Sequence, residues 1–135
     1  MATGLSDGLK KYLDEERPFA TVATLLPDGR PHLTVVWILR DGEDLLFSTT
    51  TDRVQGKNLA RDPRVTVMIN PADNPYVYAE IRGEATLTTD GARELVDTIS
   101  RRYTGQDYAD FNPDAVNDGP RVVVRVRPSK VTGRL

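Results

Sequence analysis

The chain has no cysteine and a single histidine, His32. It contains no apolar run near the roughly 20 residues that a membrane helix needs. Without cysteine there is no disulfide framework, no thiolate metal site and no cysteine nucleophile. One imidazole cannot make a metal centre, which takes three or four ligands, so no metal is expected. Phosphate-loop, nucleophile-elbow, zinc-protease and dinucleotide-binding motifs are all missing. No pair among the 20 carboxylates stands out for glycosidase-type acid/base work. A basic field is lacking too: net charge is −2 and pI about 5.4, which disfavours a nucleic-acid partner. Arg121, Arg125 and Arg127 on one strand face, and Arg101-Arg102, read more simply as surface partners of the acids. The first 16 residues carry acids early and no apolar signal core. These absences lead to an expectation of a cytoplasmic protein with no membrane role.

What is present is the material of a globular fold. The 135 residues, 39% hydrophobic and 28% charged, suffice for one domain spanning 1–135. Leu5, Leu9, Tyr12 and Leu13 recur at helical spacing over 5–16, with Ser6 as cap and Pro18 as stop. Strands are expected over 19–26 and 32–39, separated by the turn Pro27-Asp28-Gly29-Arg30. Asp41-Gly42 then turns the chain into a third strand over 45–50, making a three-stranded meander. A short helix over 52–61 is expected, capped by Asp52, although Gly56 in its middle costs about 1 kcal/mol against alanine. Strands follow over 64–70 and 76–88, the second bent at Gly83. A helix capped by Asp90 covers 90–103. A polar stretch carrying Tyr108, Phe111 and Val116 packs on something, and a last main strand covers 121–127. The tail holds one more short strand around Val131. The sum is a mainly β, α+β fold: an antiparallel barrel of about six strands with two or three peripheral helices.

Reactive side chains are so few that chemistry here would need a cofactor. One segment reads as an anion site. Ser48, Thr49, Thr50 and Thr51 run from a strand end into a helix start, where hydroxyls and free N–H groups donate toward an anion. Arg53 and Lys57, four apart, project over one helix face. The same residues read equally as a threonine-rich strand edge and a solvated helix. His32, just after a turn, reads first as a half-exposed strand residue and second as a wall of a cleft. Trp37 reads first as core. Its strand carries apolar residues on both faces, Val35 and Trp37 on one and Val36 and Ile38 on the other, so it is buried on both sides or faces a partner. Tyr76 and Tyr78 read as an interface or a cross-strand pair.

Four stretches in order carry a resemblance: F-A-T-V-A-T-L-L-P-D-G-R-P-H-L-T-V-V-W (19–37), T-T-T-D-R-V-Q-G-K-N-L-A-R-D-P-R-V-T-V (49–67), Y-V-Y-A-E-I-R-G-E-A-T-L (76–87) and R-V-V-V-R-V-R-P-S-K-V-T-G (121–133). Together they resemble the split β-barrel flavin/deazaflavin oxidoreductases related to pyridoxamine 5′-phosphate oxidase, and most of all the coenzyme F420-dependent branch. The resemblance implies a homodimer with cofactor clefts between subunits. It implies a cofactor phosphate held by Thr49, Thr50, Thr51, Arg53, Lys57 and Asn58. It lays the ring system along Val35, Val36 and Trp37 near His32, with Tyr76 added by the partner chain. Where the family often reads R-x-K, this sequence has Arg53-Val54-Gln55. Gln55 can hydrogen-bond a phosphate but not neutralise it, and Lys57 is the expected substitute. The implied activity is hydride transfer between reduced F420 and a small conjugated acceptor. The alternatives are FMN in the same slot, or a non-catalytic F420- or tetrapyrrole-binding protein, with His32 the single imidazole for a haem.

Overall fold

A computed structural model describes residues 3–117 and 119–135, the side chains of Val116 and Asn117 excepted. What Val116 packs on therefore lies outside the described residues. The elements in order are α1 (Asp7–Glu15), β1 (Phe19–Leu25), β2 (Pro31–Trp37), β3 (Leu39–Asp41), β4 (Asp44–Thr50), α2 (Val54–Arg61), β5 (Arg64–Ile69), β6 (Ala79–Thr88), α3 (Ala92–Thr104), α4 (Tyr108–Phe111), a 3₁₀ turn (Pro113–Asn117) and β7 (Arg121–Gly133).

The strands form one antiparallel sheet in the order β2-β1-β5-β6-β7-β4-β3. The expected α+β, mainly antiparallel architecture is present, with seven strands rather than six and four α-helices rather than two or three. One cause changes the strand count. The segment read as one strand over 32–39 breaks at Ile38 into β2 and β3. The tail does not make a separate strand but continues β7 to Gly133.

The break at Ile38 also overturns the three-stranded meander. β2 pairs only with β1, and β4 pairs with β3 and β7. β2 and β3 are therefore the two outer edges of the sheet, yet one residue joins them. A single residue spans less than about 4 Å of chain. The sheet must then curl until its edges meet at this corner, which makes it a half-barrel. Ile38 is fully buried there, and its N–H, outside both ladders, donates to Tyr103 Oη at 3.2 Å. Tyr103 donates its own proton to Pro18 O at 2.5 Å.

The interior is filled by alternate residues of the strands, among them Val22, Phe47, Val67, Ile81 and Val124. The α1 face of Leu9 and Leu13 closes one side, as its spacing predicts. Ser6 caps α1 by accepting from Leu9 N at 3.0 Å. The other two expected caps are not formed. α2 starts after Arg53 and α3 after Gly91, which has φ 73°, and neither helix has a side-chain cap bond. Asp52 and Asp90 sit one residue too early. β6 begins at Ala79, so Tyr76 and Tyr78 lie in the preceding loop rather than in the strand. The bend expected at Gly83 is a register shift between Arg82 and Gly83 opposite β7.

Candidate functional site

Away from the Ile38 corner the two sheet edges diverge, and α2 enters the gap. The result is a cleft of about 620 Å³ between β2, β4, the start of α2, α3, α4 and the start of β7. Its geometry follows from three local facts. Gly56 lets α2 lie directly on the end of β4: a Cβ there would stand 2.0 Å from Thr50 O. Gln55 Nε2 donates to Thr34 Oγ1 at 2.6 Å, tying α2 to β2 across the split. Thr51 N–H donates to Pro120 O at 3.0 Å, which brings the start of β7 to the start of α2.

One flank is apolar. Val35, Val36 and Trp37 come from β2, Val96 and Ile99 from α3, and Phe111 from α4. Trp37 stacks on Tyr103 at 5.4 Å between centroids and 18° between planes, and Phe111 lies 5.3 Å from it. Those contacts fix the indole plane, because a stacked ring held on two sides cannot rotate freely. The opposite end is polar. Ser48, Asp52, Arg53, Gln55 and Arg121 gather at the start of α2. Arg121 Nη1 donates to Ser48 Oγ at 3.2 Å. Among the described residues no side-chain cap bond is made at the N-cap of α2, whose first N–H groups carry the helix's partial positive charge.

Tyr108 stands at the junction. Its ring lies edge-on to Trp37 at 6.4 Å, with the Arg121 guanidinium 4.7 Å from its centroid. Asn112 Nδ2 donates to its hydroxyl at 3.3 Å. Burial pushes the phenol pKa up. The hydrogen bonds from Asn112 and Arg53 and the charges of Arg121 and Arg53 together outweigh it, leaving the pKa below the ordinary tyrosine value. Tyr103 shifts the other way, its pKa raised chiefly by burial.

The structure brings together His32, Val35, Val36, Trp37, Ser48, Arg53 and Gln55 of the residues singled out from sequence. The others do not line this cleft. Asn58 is buried, donating to Thr24 Oγ1 at 3.0 Å and accepting from Arg61 at 2.9 Å. Lys57 and Thr51 are exposed. Thr49 and Thr50 are sealed beneath the start of α2, and their hydroxyls have no partner among the described residues. Tyr76 is 87% exposed in its loop. Arg121, Tyr108 and Phe111 are among the lining residues that the sequence did not assign to a site. The i, i+3 aromatics in a polar stretch were a signal of packing. Nothing local marks Arg121, since pairing with Thr50 across β4 and β7 places it. No group of three metal-ligating side chains occurs among the described residues, and no helix among them is long and apolar enough to cross a membrane.

This geometry agrees with the resemblances to known proteins. A family described as pyridoxamine 5′-phosphate oxidase matches residues 7–134. A solved F420 reductase is 30% identical over 95% of this chain and 98% of its own, with a TM-score of 0.79. A conserved hypothetical protein from Mycobacterium tuberculosis is 25% identical over 97% of this chain and 86% of its own, TM-score 0.73. A putative pyridoxamine 5′-phosphate oxidase from Listeria innocua shares the fold at 22% identity, covering 94% and 95% of the two chains with a TM-score of 0.70. The chain therefore belongs to the pyridoxamine 5′-phosphate oxidase family of split-barrel proteins, on the branch that holds the F420 reductase.

Proposed function

We propose that this protein is an F420-dependent oxidoreductase that passes a hydride between the reduced deazaflavin and a small conjugated organic acceptor. Membership of the family supports a flavin- or deazaflavin-type redox role. The observation that carries the F420 reading is a single cleft with a fixed aromatic flank at one side and two guanidinium groups at an uncapped helix start at the other. A planar ring bearing a phosphate needs that combination: apolar walls for the ring, charge-assisted donors for the anion. The residues fit the group. Arg53, Arg121, Ser48 and the α2 N–H groups face the phosphate, while Val35, Val36 and Trp37 flank the ring and His32 borders it. Arg121 also answers the departure at Gln55. The second cation comes from β7 rather than from α2 or Lys57, and Gln55 is engaged in holding α2 to Thr34. The cofactor, when bound, supplies the two-electron hydride chemistry. The protein's work is to bind, orient and exclude water.

The same reading makes the protein a homodimer. Leu33 and Val35 on the outer face of β2 are 64% and 67% exposed. Their neighbours on that face include Thr21 of β1 and Met68 of β5. An apolar sheet face of this kind marks an interface. Tyr76, outside the cleft of its own chain, is then available to the partner's.

Equilibrium binding of the purified protein to F420 and to FMN, followed by cofactor fluorescence at matched salt, tests the reading. F420 binds more tightly than FMN, and Arg53→Ala weakens F420 binding about tenfold or more, the cost of one hydrogen bond to a charged group. Tighter FMN binding overturns the F420 reading, and unchanged affinity in Arg53→Ala overturns the phosphate assignment.

A further inference from the structure

We infer that Tyr108 Oη is the proton donor to the acceptor during its reduction, an inference that rests on the oxidoreductase reading above. Reducing a conjugated acceptor takes a hydride and a proton. The hydride and its electron pair come from the reduced deazaflavin, which is oxidised as the acceptor is reduced. The acceptor's double bond opens, one end gaining the hydride and the other forming a bond to the proton. The O–H bond of Tyr108 breaks and leaves a phenolate, which water reprotonates.

Three observations place this role on Tyr108. The first is position. Tyr108 lines the 620 Å³ cleft, and it also lines a second cavity of about 370 Å³ between α3, α4 and the start of β7. Val96, Tyr108 and Arg121 are common to the two cavities. Tyr108 thus borders both the ring slot and an adjoining space with room for an acceptor. Ala92, Val96 and Ala109 make the apolar part of that space, and Asn112 and Arg121 the polar part.

The second is the surroundings of the oxygen. A proton donor must leave a tolerated conjugate base. Asn112 donates to Oη, and Arg121 stands over the ring. The Arg53 guanidinium is near enough to lower the phenol pKa as well. Among the described residues, the charged groups on the elements around α4 include Arg53 and Asp52 from the α2 side, Arg121 from β7, Arg93 and Asp97 from α3, Asp107 and Asp110 of its own segment, and Asp114 of the 3₁₀ turn. Asp97 accepts from the Tyr108 backbone N–H at 3.0 Å and pairs with Arg93 at 3.5 Å. Asp107 pairs with Arg101. Asn112 and the two arginines at the cleft lower the phenol pKa against the effect of burial.

The third is the contrast with the other tyrosine at this wall. Tyr103 donates to Pro18 O, and burial raises its pKa, so its proton is committed to the fold. His32, in the same cleft lining, is the rival donor.

The test uses Tyr108→Phe, which keeps the ring and its packing against Trp37. On the protein without cofactor, ultraviolet titration of tyrosinate shows one phenol ionising below the ordinary tyrosine range of about 10, and Tyr108→Phe removes that transition. Absence of the transition, or its persistence in the variant, overturns the inference with no reference to F420. With reduced F420 and menadione as the probe acceptor, Tyr108→Phe lowers kcat about 10²-fold. F420 Kd and menadione KM are unchanged, and the wild type's fall in kcat at high pH disappears. Retained kcat in Tyr108→Phe, or a loss of kcat in His32→Gln with Tyr108→Phe unaffected, overturns the donor role while the cofactor reading stands. A wild type that does not bind F420 overturns the cofactor reading and the donor role together. If the wild type binds F420 but does not reduce menadione, the cofactor-free titration decides.

Discussion

At the residue scale, two glycines show how one atom positions the site. Gly56 reads in sequence as a flaw inside a helix. In the fold it is the contact surface between α2 and the end of β4, with Thr50 O where a Cβ would stand. Gly56→Ala pushes α2 off β4, and overpacking of this kind costs about 1–3 kcal/mol. Urea denaturation reads that loss, and F420 affinity falls with it because Arg53 moves with the helix. A variant as stable as the wild type would show that α2 is not pressed on β4. Gly83 is the parallel case on β6, where a Cβ would meet Arg127 O at 2.2 Å. Its bend was legible because glycine in a strand marks a bulge or a close approach. The reason for Gly56 was not legible, because the atom it avoids belongs to another element. Asn58 is similar: polar and helical, it reads as a ligand donor, but burial commits it to Thr24.

At the element scale, α1 is held by a residue far away in sequence. Arg102 on α3 donates to the carbonyls of Leu13, Asp14 and Glu16 at 2.6, 3.0 and 2.5 Å. These are the groups that a helix end leaves without intrahelical partners. Arg102→Ala removes these charge-assisted bonds where α1 closes the barrel, which costs about 1–3 kcal/mol. Hydrogen exchange then quickens over 9–16 while the β6 and β7 amides keep their protection. Equal protection of α1 in the variant would show that burial of Leu9 and Leu13 alone holds the helix. The existence of α1, α2 and α3 was legible from period and composition. The cap positions were not. An acidic residue two or three places before a periodic run looks like a cap, yet α2 and α3 begin one residue later than Asp52 and Asp90 require. The break at Ile38 was hidden for a related reason: residues 35–39 are all apolar, and a continuous apolar run has no period to interrupt.

At the scale of the whole molecule, the proposed dimer rests on the outer face of β2 and β1. Leu33 and Val35 are exposed there beside the cleft that Val35 also lines. Leu33→Glu combined with Val35→Glu places two charges on that face without touching the interior. Sedimentation velocity then shows the wild type as a dimer and the variant as a monomer, with weaker F420 binding and an unchanged far-ultraviolet spectrum. A monomeric wild type, or a variant that still dimerises, removes this face as the interface.

The sequence by itself determined the alternation that makes the strands, the helical faces, the turns at Asp28-Gly29 and Asp41-Gly42, and the strand-to-helix start that carries Arg53. These are local, because period and turn chemistry act over a few residues. Only the tertiary structure decided that the sheet's edges meet at Ile38, that Gly56 presses α2 onto β4, and that Arg121 and Tyr108 join Arg53 at one end of one cleft. Those juxtapositions depend on strand register and barrel closure. Both are set by how the apolar faces of the entire sheet are buried together, a property no short stretch of chain contains.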